Sequence, residues 1–205
     1  MKKGLFIVLE GPDGAGKSTV SKGIAAYLEK FGHEIVFSRE PGGTAISEKI
    51  RDIILDCEHS EMADTTEALL YAASRAQHVA EKIKPLVDSG KTIICERFYH
   101  SSLVYQGIGR GLGVEPVRAI NAFAIQQTYP DLVIFLDIDP EKALMRKLEK
   151  TQGDRLELES LDFHQKVYEG YKQIIRLSPE IQVVDATGEE NTVIRKVLKI
   201  LEKVI

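Results

Sequence analysis

Five short runs of apolar residues, spread along the chain, predict the strands of a sheet. The first run, GLFIVLE at 4–10, is apolar almost throughout. A strand with one face in solvent would instead alternate apolar and polar residues. Similar runs occur at 34–38, 92–95, 132–136 and 181–184. We therefore predict five strands that are buried on both faces.

Between these runs, apolar positions recur at helical spacing. A helix is predicted over 17–31, ended by Gly32, with an apolar face formed by Val20, Ile24, Ala25 and Leu28. The same spacing predicts a helix around 68–76 that ends near Pro85, another around 120–124, and a third around 193–204. Strands alternating with helices predict the α/β class, a parallel sheet covered on both faces. Since no repeat or linker interrupts the pattern, we expect a single domain over 1–205.

Composition and charge narrow the possible partners. The chain has 205 residues, 43% of them hydrophobic, and can form a core without metal or disulfide support. Its net charge of −4 offers no general basic field, which argues against a nucleic-acid polymer as partner. The apolar runs are far shorter than the roughly 18 residues of a membrane span. We therefore expect no membrane association.

The two cysteines and the start of the chain favour the cytoplasm. Cys57 and Cys95 lack CxxC spacing, which fits neither a disulfide scaffold nor a zinc site. The apolar run at 5–9 is too short for the core of a secretory signal. Both features predict a cytoplasmic protein.

The clearest chemical signal is GPDGAGKS at 11–18, which matches GxxxxGK[ST] between a predicted strand and a predicted helix. Glycines let the backbone wrap around phosphate oxygens, and the helix N-terminus attracts the anion. Lys17 is expected to reach the β- and γ-phosphates. A plain glycine-rich turn would match by chance in roughly one chain of this length in a hundred. The predicted nucleotide-binding residues are Gly11, Pro12, Asp13, Gly14, Ala15, Gly16, Lys17, Ser18 and Thr19.

Two predicted strands end in a carboxylate that could serve a metal ion, at Glu96 and Asp137. The carboxyl edge of an open α/β sheet is where ligands bind. Glu96 is favoured because Arg97 follows it and could bind phosphate, although a surface ion pair fits the sequence equally well. With the Ser18 hydroxyl, Glu96 forms the expected metal pair. The residues alone thus indicate a phosphotransferase or hydrolase; a GTPase-type switch would need an Asn-Lys-x-Asp motif, which the sequence lacks.

Further motifs, in order along the chain, resemble the thymidylate kinase family. They are REPGG at 39–43, AASR at 72–75, ERF at 96–98, SS at 101–102, YQG at 105–107 and YPDL at 129–132. The resemblance covers 4–205 and implies a P-loop kinase fold with strand order 2-3-1-4-5. It implies transfer of the ATP γ-phosphoryl group to dTMP with Mg²⁺, giving dTDP and ADP, in a homodimer. A kinase for dUMP or UMP is the alternative within the same class.

The resemblance also implies an acceptor site, made of Asp13, Glu40, Arg51, Tyr71, Arg75, Arg97, Ser102, Tyr105 and Gln106. Tyr71 would stack on thymine, and Arg75 and Gln106 would hydrogen-bond its edge. Arg51 and Arg97 would hold the acceptor phosphate with their planar guanidinium groups. By periodicity alone, Tyr71 could equally be a core aromatic residue.

Three further assignments implied by the resemblance concern the sugar of the acceptor and the carboxylate of Glu40. Asp13 is implied to accept from the 3′-hydroxyl group of the deoxyribose. Tyr105 is implied to exclude a ribose 2′-hydroxyl group. Glu40 is implied to lie near both acceptor and metal, although a turn residue beside Pro41 is the plain alternative.

This sequence departs from the family pattern at two positions. Some members carry an arginine in the P-loop where Gly14 stands, and members with glycine supply basic residues from a lid, which falls at 146–157 here. The basic residues of this lid are Arg146, Lys147, Lys150 and Arg155. Arg155 is the first candidate and Arg146 the second for contacting the transferring phosphoryl group. A solvated charged helix end is the alternative for both. The implied catalytic set is Asp13, Lys17, Arg97, Arg146 and Arg155. The second departure is Glu96, where the family commonly has aspartate.

Overall fold

The computed structural model describes residues 4–148 and 153–204, without the side chains at 144 and 146–148. One parallel sheet has the strand order β2-β3-β1-β4-β5. The strands are β1 Phe6–Glu10, β2 Ile35–Arg39, β3 Thr92–Glu96, β4 Leu132–Asp137 and β5 Ile181–Asp185. At the centre, Val8 of β1 is in register with Cys95 and with Val133. The predicted class, number of strands and strand order are confirmed.

Helices cover both faces of this sheet. Their bounds are α1 Lys17–Leu28, α2 Ala45–Leu55, α3 Asp64–His78, α4 Lys84–Asp88, α5 Tyr99–Ser102, α6 Val114–Ile125, α7 Pro140–Leu148, α8 Leu161–Leu177 and α9 Glu190–Leu201. A 3₁₀ turn, Glu29–Phe31, follows α1, and Gly32 ends it in the left-handed conformation. π-helical turns occur at Val79–Ile83 and Leu103–Gly109. No helix within the described ranges is long and apolar enough to cross a bilayer.

The core has two halves because successive residues of a strand point to opposite faces of the sheet. Phe6 and Val8 pack with the π turn Val79–Ile83, α4, α6 and α8 on one face. Ile7 and Leu9 pack with α1 and α9 on the other. Each such side chain stabilises the fold by about 1.5–3 kcal/mol when fully buried. This double burial explains why the central strands β1 and β4 are apolar at nearly every position. The edge strands β2 and β5 contain polar and exposed residues, so the prediction that all five strands are buried on both faces is wrong for these two.

The helix predicted to end near Pro85 continues three residues past it. The helix runs on from α3 through the π turn Val79–Ile83 into α4, which ends at Asp88. Pro85 lies in the first turn of α4, where a missing N–H is tolerated. Two long helices were not predicted, α2 and α8, although each has an N-cap signal. The Thr44 and Ser160 hydroxyl groups accept from backbone N–H groups three residues later.

Candidate active site

The P-loop joins β1 to α1 at the carboxyl edge of the sheet. Gly14 and Gly16 have φ angles of 83° and 90°, in the left-handed region that favours glycine. A Cβ atom on Gly14 would lie 1.9 Å from the backbone oxygen of Ala143 in α7. The chain therefore has no room here for an arginine side chain.

Lys17 is buried at the start of α1. Its Nζ donates to the carbonyl oxygens of Gly11 and Pro12, at 3.0 and 2.8 Å, and lies 3.7 Å from Asp13 Oδ1. The pKa of Lys17 is lowered to about 8, chiefly by burial and also by the charge of Arg97, while Asp13 opposes the change. The loop thus holds an ammonium group in a partly desolvated position, where a phosphate would compensate its charge.

Two cavities meet at the P-loop. The first cavity, of about 330 Å³, extends from the loop towards α2, α3 and the turn Leu103–Gly109. The second cavity, of about 590 Å³, extends along the loop to the segment 186–193. Both are lined by Asp13, Lys17, Ser18 and Glu96. Two ligands, one in each cavity, would therefore have their reacting ends beside the same four side chains.

The structure brings together all nine residues predicted for the acceptor site. The first cavity is lined by Asp13, Glu40, Arg51, Tyr71, Arg75, Arg97, Ser102, Tyr105 and Gln106. The residues predicted for the nucleotide donor are gathered around the second cavity, which is lined by Asp13, Gly14, Ala15, Gly16, Lys17, Ser18 and Thr19. Gly11 and Pro12 contribute instead the carbonyl oxygens that hold Lys17.

Arg97 lies directly after β3 with a φ angle of 66°, in the left-handed region. Its Nη2 is 2.9 Å from Asp13 Oδ2 and donates to the Tyr105 hydroxyl group at 3.1 Å. Its Nη1 donates to Ser101 Oγ at 3.0 Å, and the guanidinium lies 5.0 Å from the Tyr105 ring centroid. A strained backbone and several partners thus aim this cation into the first cavity.

Arg75 is 2% exposed and is held from several sides. Its Nε donates to Glu40 Oε2 at 2.6 Å, and its Nη1 donates to Ser102 Oγ at 3.0 Å and to the Asn121 carboxamide oxygen. Glu40 Oε1 also lies 3.0 Å from His78 Nδ1. The sequence analysis missed Asn121 and His78. Each is spaced along a helix like an ordinary core residue, so no local pattern marked them.

Glu10, at the end of β1, is a buried carboxylate that the sequence analysis also missed. Its Oε1 accepts from the Phe98 N–H group at 2.9 Å, and its Oε2 accepts from Ser101 Oγ and the Tyr171 hydroxyl group at 2.6 and 2.9 Å. It thereby anchors the segment that carries Arg97. The sequence signal that could have identified Glu10 is a glutamate at the end of a buried strand, next to a P-loop.

Arg155 lies on the far side of the first cavity. Its Nη2 is 2.6 Å from Glu67 Oε2, and its Nε donates to the Ile54 carbonyl oxygen at 2.8 Å. Its neighbours Asp154 and Leu156 line the first cavity. The predicted contact with the transferring phosphoryl group stays a prediction, and in this structure the guanidinium faces Glu67.

The other predicted lid cations are Arg146, Lys147 and Lys150. Arg146 and Lys147 lie in α7, and their side chains are not described. Lys150 lies outside the described residues. Their predicted roles therefore stay predictions.

A metal ion at the junction of the two cavities would have oxygen ligands from Ser18 and Glu96, which line both. Within 4–148 and 153–204, no cluster of three or more histidine, cysteine or acidic side chains could hold a metal by itself. Mg²⁺ commonly takes only one or two protein oxygens and completes its shell with water and substrate phosphates. The residues present therefore fit a magnesium ion that binds together with a nucleotide.

Lowering the pH is expected to destabilise the fold through His100, which is 1% exposed beside Ser101. Neither ring nitrogen has a hydrogen-bond partner among the described residues, and Nε2 lies 3.8 Å from Glu180 Oε1. Burial lowers the pKa of His100, and the carboxylates of Glu10 and Glu180 offset this only in part. Below about pH 6.5, the unfolded chain then binds the proton more readily than the folded one, so the free energy of unfolding falls.

Urea unfolding at about pH 8 and about pH 5 measures this effect. The His100→Gln variant should lose less stability than the parent between the two values. An equal loss in both proteins would assign the acid sensitivity to other groups.

The chain is similar to known proteins along nearly its whole length. The sequence matches the family model for thymidylate kinase over residues 9–197. Thymidylate kinase of Finegoldia magna is 49% identical over 199 residues, which cover 97% of this chain and 98% of that protein. Thymidylate kinase of Lactobacillus acidophilus is 50% identical over 205 residues, covering 98% and 95%.

A solved structure, thymidylate kinase from Ehrlichia chaffeensis, has the same fold, with a TM-score of 0.80 and 29% identity. The alignment covers 98% of this chain and 100% of that one. Because the family model and these relatives match nearly the whole chain, the chain belongs to the thymidylate kinase family.

Proposed function

We propose that this chain transfers the γ-phosphoryl group of ATP to dTMP, with ATP in the second cavity and dTMP in the first. The observation that carries this proposal is the junction of the two cavities at Asp13, Lys17, Ser18 and Glu96. A donor phosphate chain and an acceptor phosphate can meet there. The products are ADP and dTDP.

The first cavity offers groups that suit each part of dTMP. Tyr71 supplies a ring for stacking on thymine, and Arg75 and Gln106 supply polar groups for the base edge. Arg97 and Arg51 supply guanidinium groups for the phosphate. Arg51 Nη1 donates to the Pro41 carbonyl oxygen at 2.9 Å, which steadies its head group.

The remaining assignments place the sugar and Glu40. Asp13 is proposed to accept from the 3′-hydroxyl group. The Tyr105 ring, buried under Arg97, is proposed to occupy the space that a ribose 2′-hydroxyl would need. Glu40 acts chiefly by holding Arg75, to which it is paired at 2.6 Å.

Transfer is proposed to proceed by positioning and charge stabilisation, as in other phosphoryl-transfer enzymes. Lys17 stabilises charge on the transferring group, and Arg97 holds the acceptor phosphate in line. No residue has to act as a strong general base, because the acceptor is already a phosphate. The segment 146–157 is proposed as the lid, with Arg146 and Arg155 as its candidate cations.

Mg²⁺ is proposed to bind beside the Ser18 hydroxyl group and the Glu96 carboxylate. When bound, it neutralises negative charge on the donor phosphates. Ser18 lies at the start of α1 and Glu96 at the end of β3, so both ligands would stand on rigid elements.

The deciding experiment is ADP production with Mg-ATP fixed and dTMP, dUMP, UMP, dCMP and AMP offered separately. We expect a preference for dTMP over dUMP of about tenfold or more and rejection of UMP, since a methyl-sized pocket separates close analogues by about 1–3 kcal/mol. A higher kcat/KM for another monophosphate would reassign the base-contacting residues. Hydrolysis of ATP at full rate without an acceptor would indicate a switch protein instead.

Replacing Gln106 with Ala should weaken dTMP binding by about 1–3 kcal/mol, because the base edge is left partly unsatisfied. The KM for ATP should not change, since Gln106 lines only the first of the two cavities described. Isothermal titration with dTMP measures the effect. Gln165→Ala, on the exposed face of α8, is the matched control. Unchanged dTMP affinity in the Gln106 variant would contradict its assignment.

A homodimer is proposed from the outward surface of three adjacent helices. Ile53 on α2, Leu69 on α3 and Phe123 on α6 are 45, 57 and 86% exposed. Exposed apolar side chains of this size, gathered on one helical layer, favour a protein interface. Sedimentation at dilute concentration tests it, and a monomeric mass would contradict it.

The exposed free thiol of Cys57 supports the proposed cytoplasmic location, where thiols stay reduced.

A further inference from the structure

Glu67 is a buried carboxylate to which no role has been assigned above. It lies on α3, one helical turn before Tyr71, and is 1% exposed. Its Oε1 accepts from Gln106 Nε2 at 2.8 Å. Its Oε2 accepts from Arg155 Nη2 at 2.6 Å and from Arg110 Nη2 at 3.1 Å. One carboxylate thus joins α3, the π turn Leu103–Gly109 and the segment after 153.

The surroundings keep this carboxylate ionised. Burial by itself raises the pKa of Glu67, but hydrogen bonds from Arg110, Gln106 and Arg155 together lower it. Because the guanidinium groups of Arg110 and Arg155 both contact this carboxylate, Glu67 stays deprotonated near neutral pH. An ionised carboxylate can only accept hydrogen bonds.

The orientation of the Gln106 carboxamide follows from that chemistry. Its nitrogen has to face Glu67, because its oxygen would there meet a second acceptor and lose a buried hydrogen bond. Gln106 also lines the first cavity. The carboxamide therefore turns its oxygen, an acceptor, towards the base of the proposed acceptor nucleotide.

We propose that Glu67 is a positioning residue that selects the acceptor base by fixing the Gln106 carboxamide with its oxygen towards the first cavity. A thymine or uracil ring offers N3–H, a donor, at its pairing edge and satisfies that oxygen. Cytosine has an unprotonated N3 there, and two acceptors would face each other. The inference rests on the proposed function, because it assumes that dTMP binds in the first cavity with its base against Gln106.

The test compares Glu67→Gln with Glu159→Gln in the full-length chain. A neutral amide at 67 can accept or donate, so the Gln106 carboxamide gains freedom to turn over. Glu159 is paired with Arg110 Nη1 at 2.6 Å, so its variant disturbs the same cluster. Among the described residues, Glu159 has no hydrogen bond to Gln106, whose side-chain nitrogen is bound to Glu67. The measurements are kcat/KM for dTMP and dCMP, the KM for ATP and the thermal midpoint.

In Glu67→Gln, the ratio of kcat/KM for dTMP to that for dCMP should fall tenfold or more, while the KM for ATP stays within twofold. In Glu159→Gln, the ratio should stay at the parent value. A loss that is equal for dTMP and dCMP would overturn the proposal and make Glu67 merely structural, while dTMP kinase activity of the parent would still support the proposed function. If the parent itself does not phosphorylate dTMP, the proposed function fails first.

A measurement on the unmodified chain covers the case in which Glu67→Gln does not fold. The side-chain amide signal of Gln106 can be assigned by its absence in Gln106→Ala. Without nucleotide, one of its two protons should exchange slowly with solvent because it is bound to the buried Glu67 carboxylate. Rapid exchange of both protons would overturn the proposal.

Discussion

Replacing Lys17 with Ala is expected to lower kcat about 10³-fold for every acceptor that the enzyme uses. The ammonium group is held by the carbonyl oxygens of Gly11 and Pro12 at the junction of both cavities. Its charge therefore acts on the transferring phosphoryl group whichever base occupies the first cavity. Steady-state kinetics with dTMP and dUMP measure the loss, which should be the same for both.

The control is Lys22→Ala, an exposed lysine on the same helix. It should change kcat by less than about twofold, as a solvated charge distant from the cavities. The pH dependence is a second readout. Because the pKa of Lys17 is lowered to about 8 in the free chain, kcat/KM for ATP should decline as the pH rises through that value. A kcat that survives the Lys17 substitution would contradict the placement of phosphoryl transfer at this junction.

Replacing Arg97 with Lys is expected to lower kcat/KM for dTMP about 10²-fold. The positive charge is kept, but the planar fork is lost. That fork now reaches Asp13, Tyr105 and Ser101 at 2.9 to 3.1 Å. Lysine can take the same φ of 66° at the same strain as arginine, so the change isolates the side chain from the backbone.

The effect should fall on the acceptor and leave the KM for ATP within about twofold, since Arg97 lines the first cavity and is not among the described residues around the second. Arg118→Lys, on the partly exposed face of α6, is the matched control and should behave like the parent. A larger rise in the KM for ATP than in that for dTMP would show that Arg97 serves the donor instead.

Several features of the site were predictable because they depend on short stretches of chain. A glycine-rich loop between a buried strand and a helix places backbone N–H groups and Lys17 whatever surrounds it. The π turn before Pro85 was not predictable in this way. Its residues Val79 and Ile83 pack in the core with Phe6 and Val8, which are distant in the sequence, whereas proline alone predicts a helix end.

Only the tertiary structure revealed that the carboxylates of Glu10 and Glu67 hold other residues of the site in place. Glu10 and Ser101 are 91 positions apart, and Glu67 and Arg155 are 88 apart. No local pattern relates such residues, because a buried carboxylate is defined by the donors that the fold brings to it. The same holds for Arg155, which the sequence assigned to a phosphate-contacting lid and the fold pairs with Glu67.

By itself, the sequence determined the α/β class, the five strands and the P-loop, while the acceptor-site residues were implied by the family resemblance. Apolar periodicity and contiguous motifs are sufficient for these, since they act through the backbone of neighbouring residues. The tertiary structure alone decided that the two cavities share Asp13, Lys17, Ser18 and Glu96, and which groups hold Arg75, Arg97 and Gln106 in place. Side-chain orientation follows from long-range contacts, which exist only after the sheet has brought its carboxyl edge together.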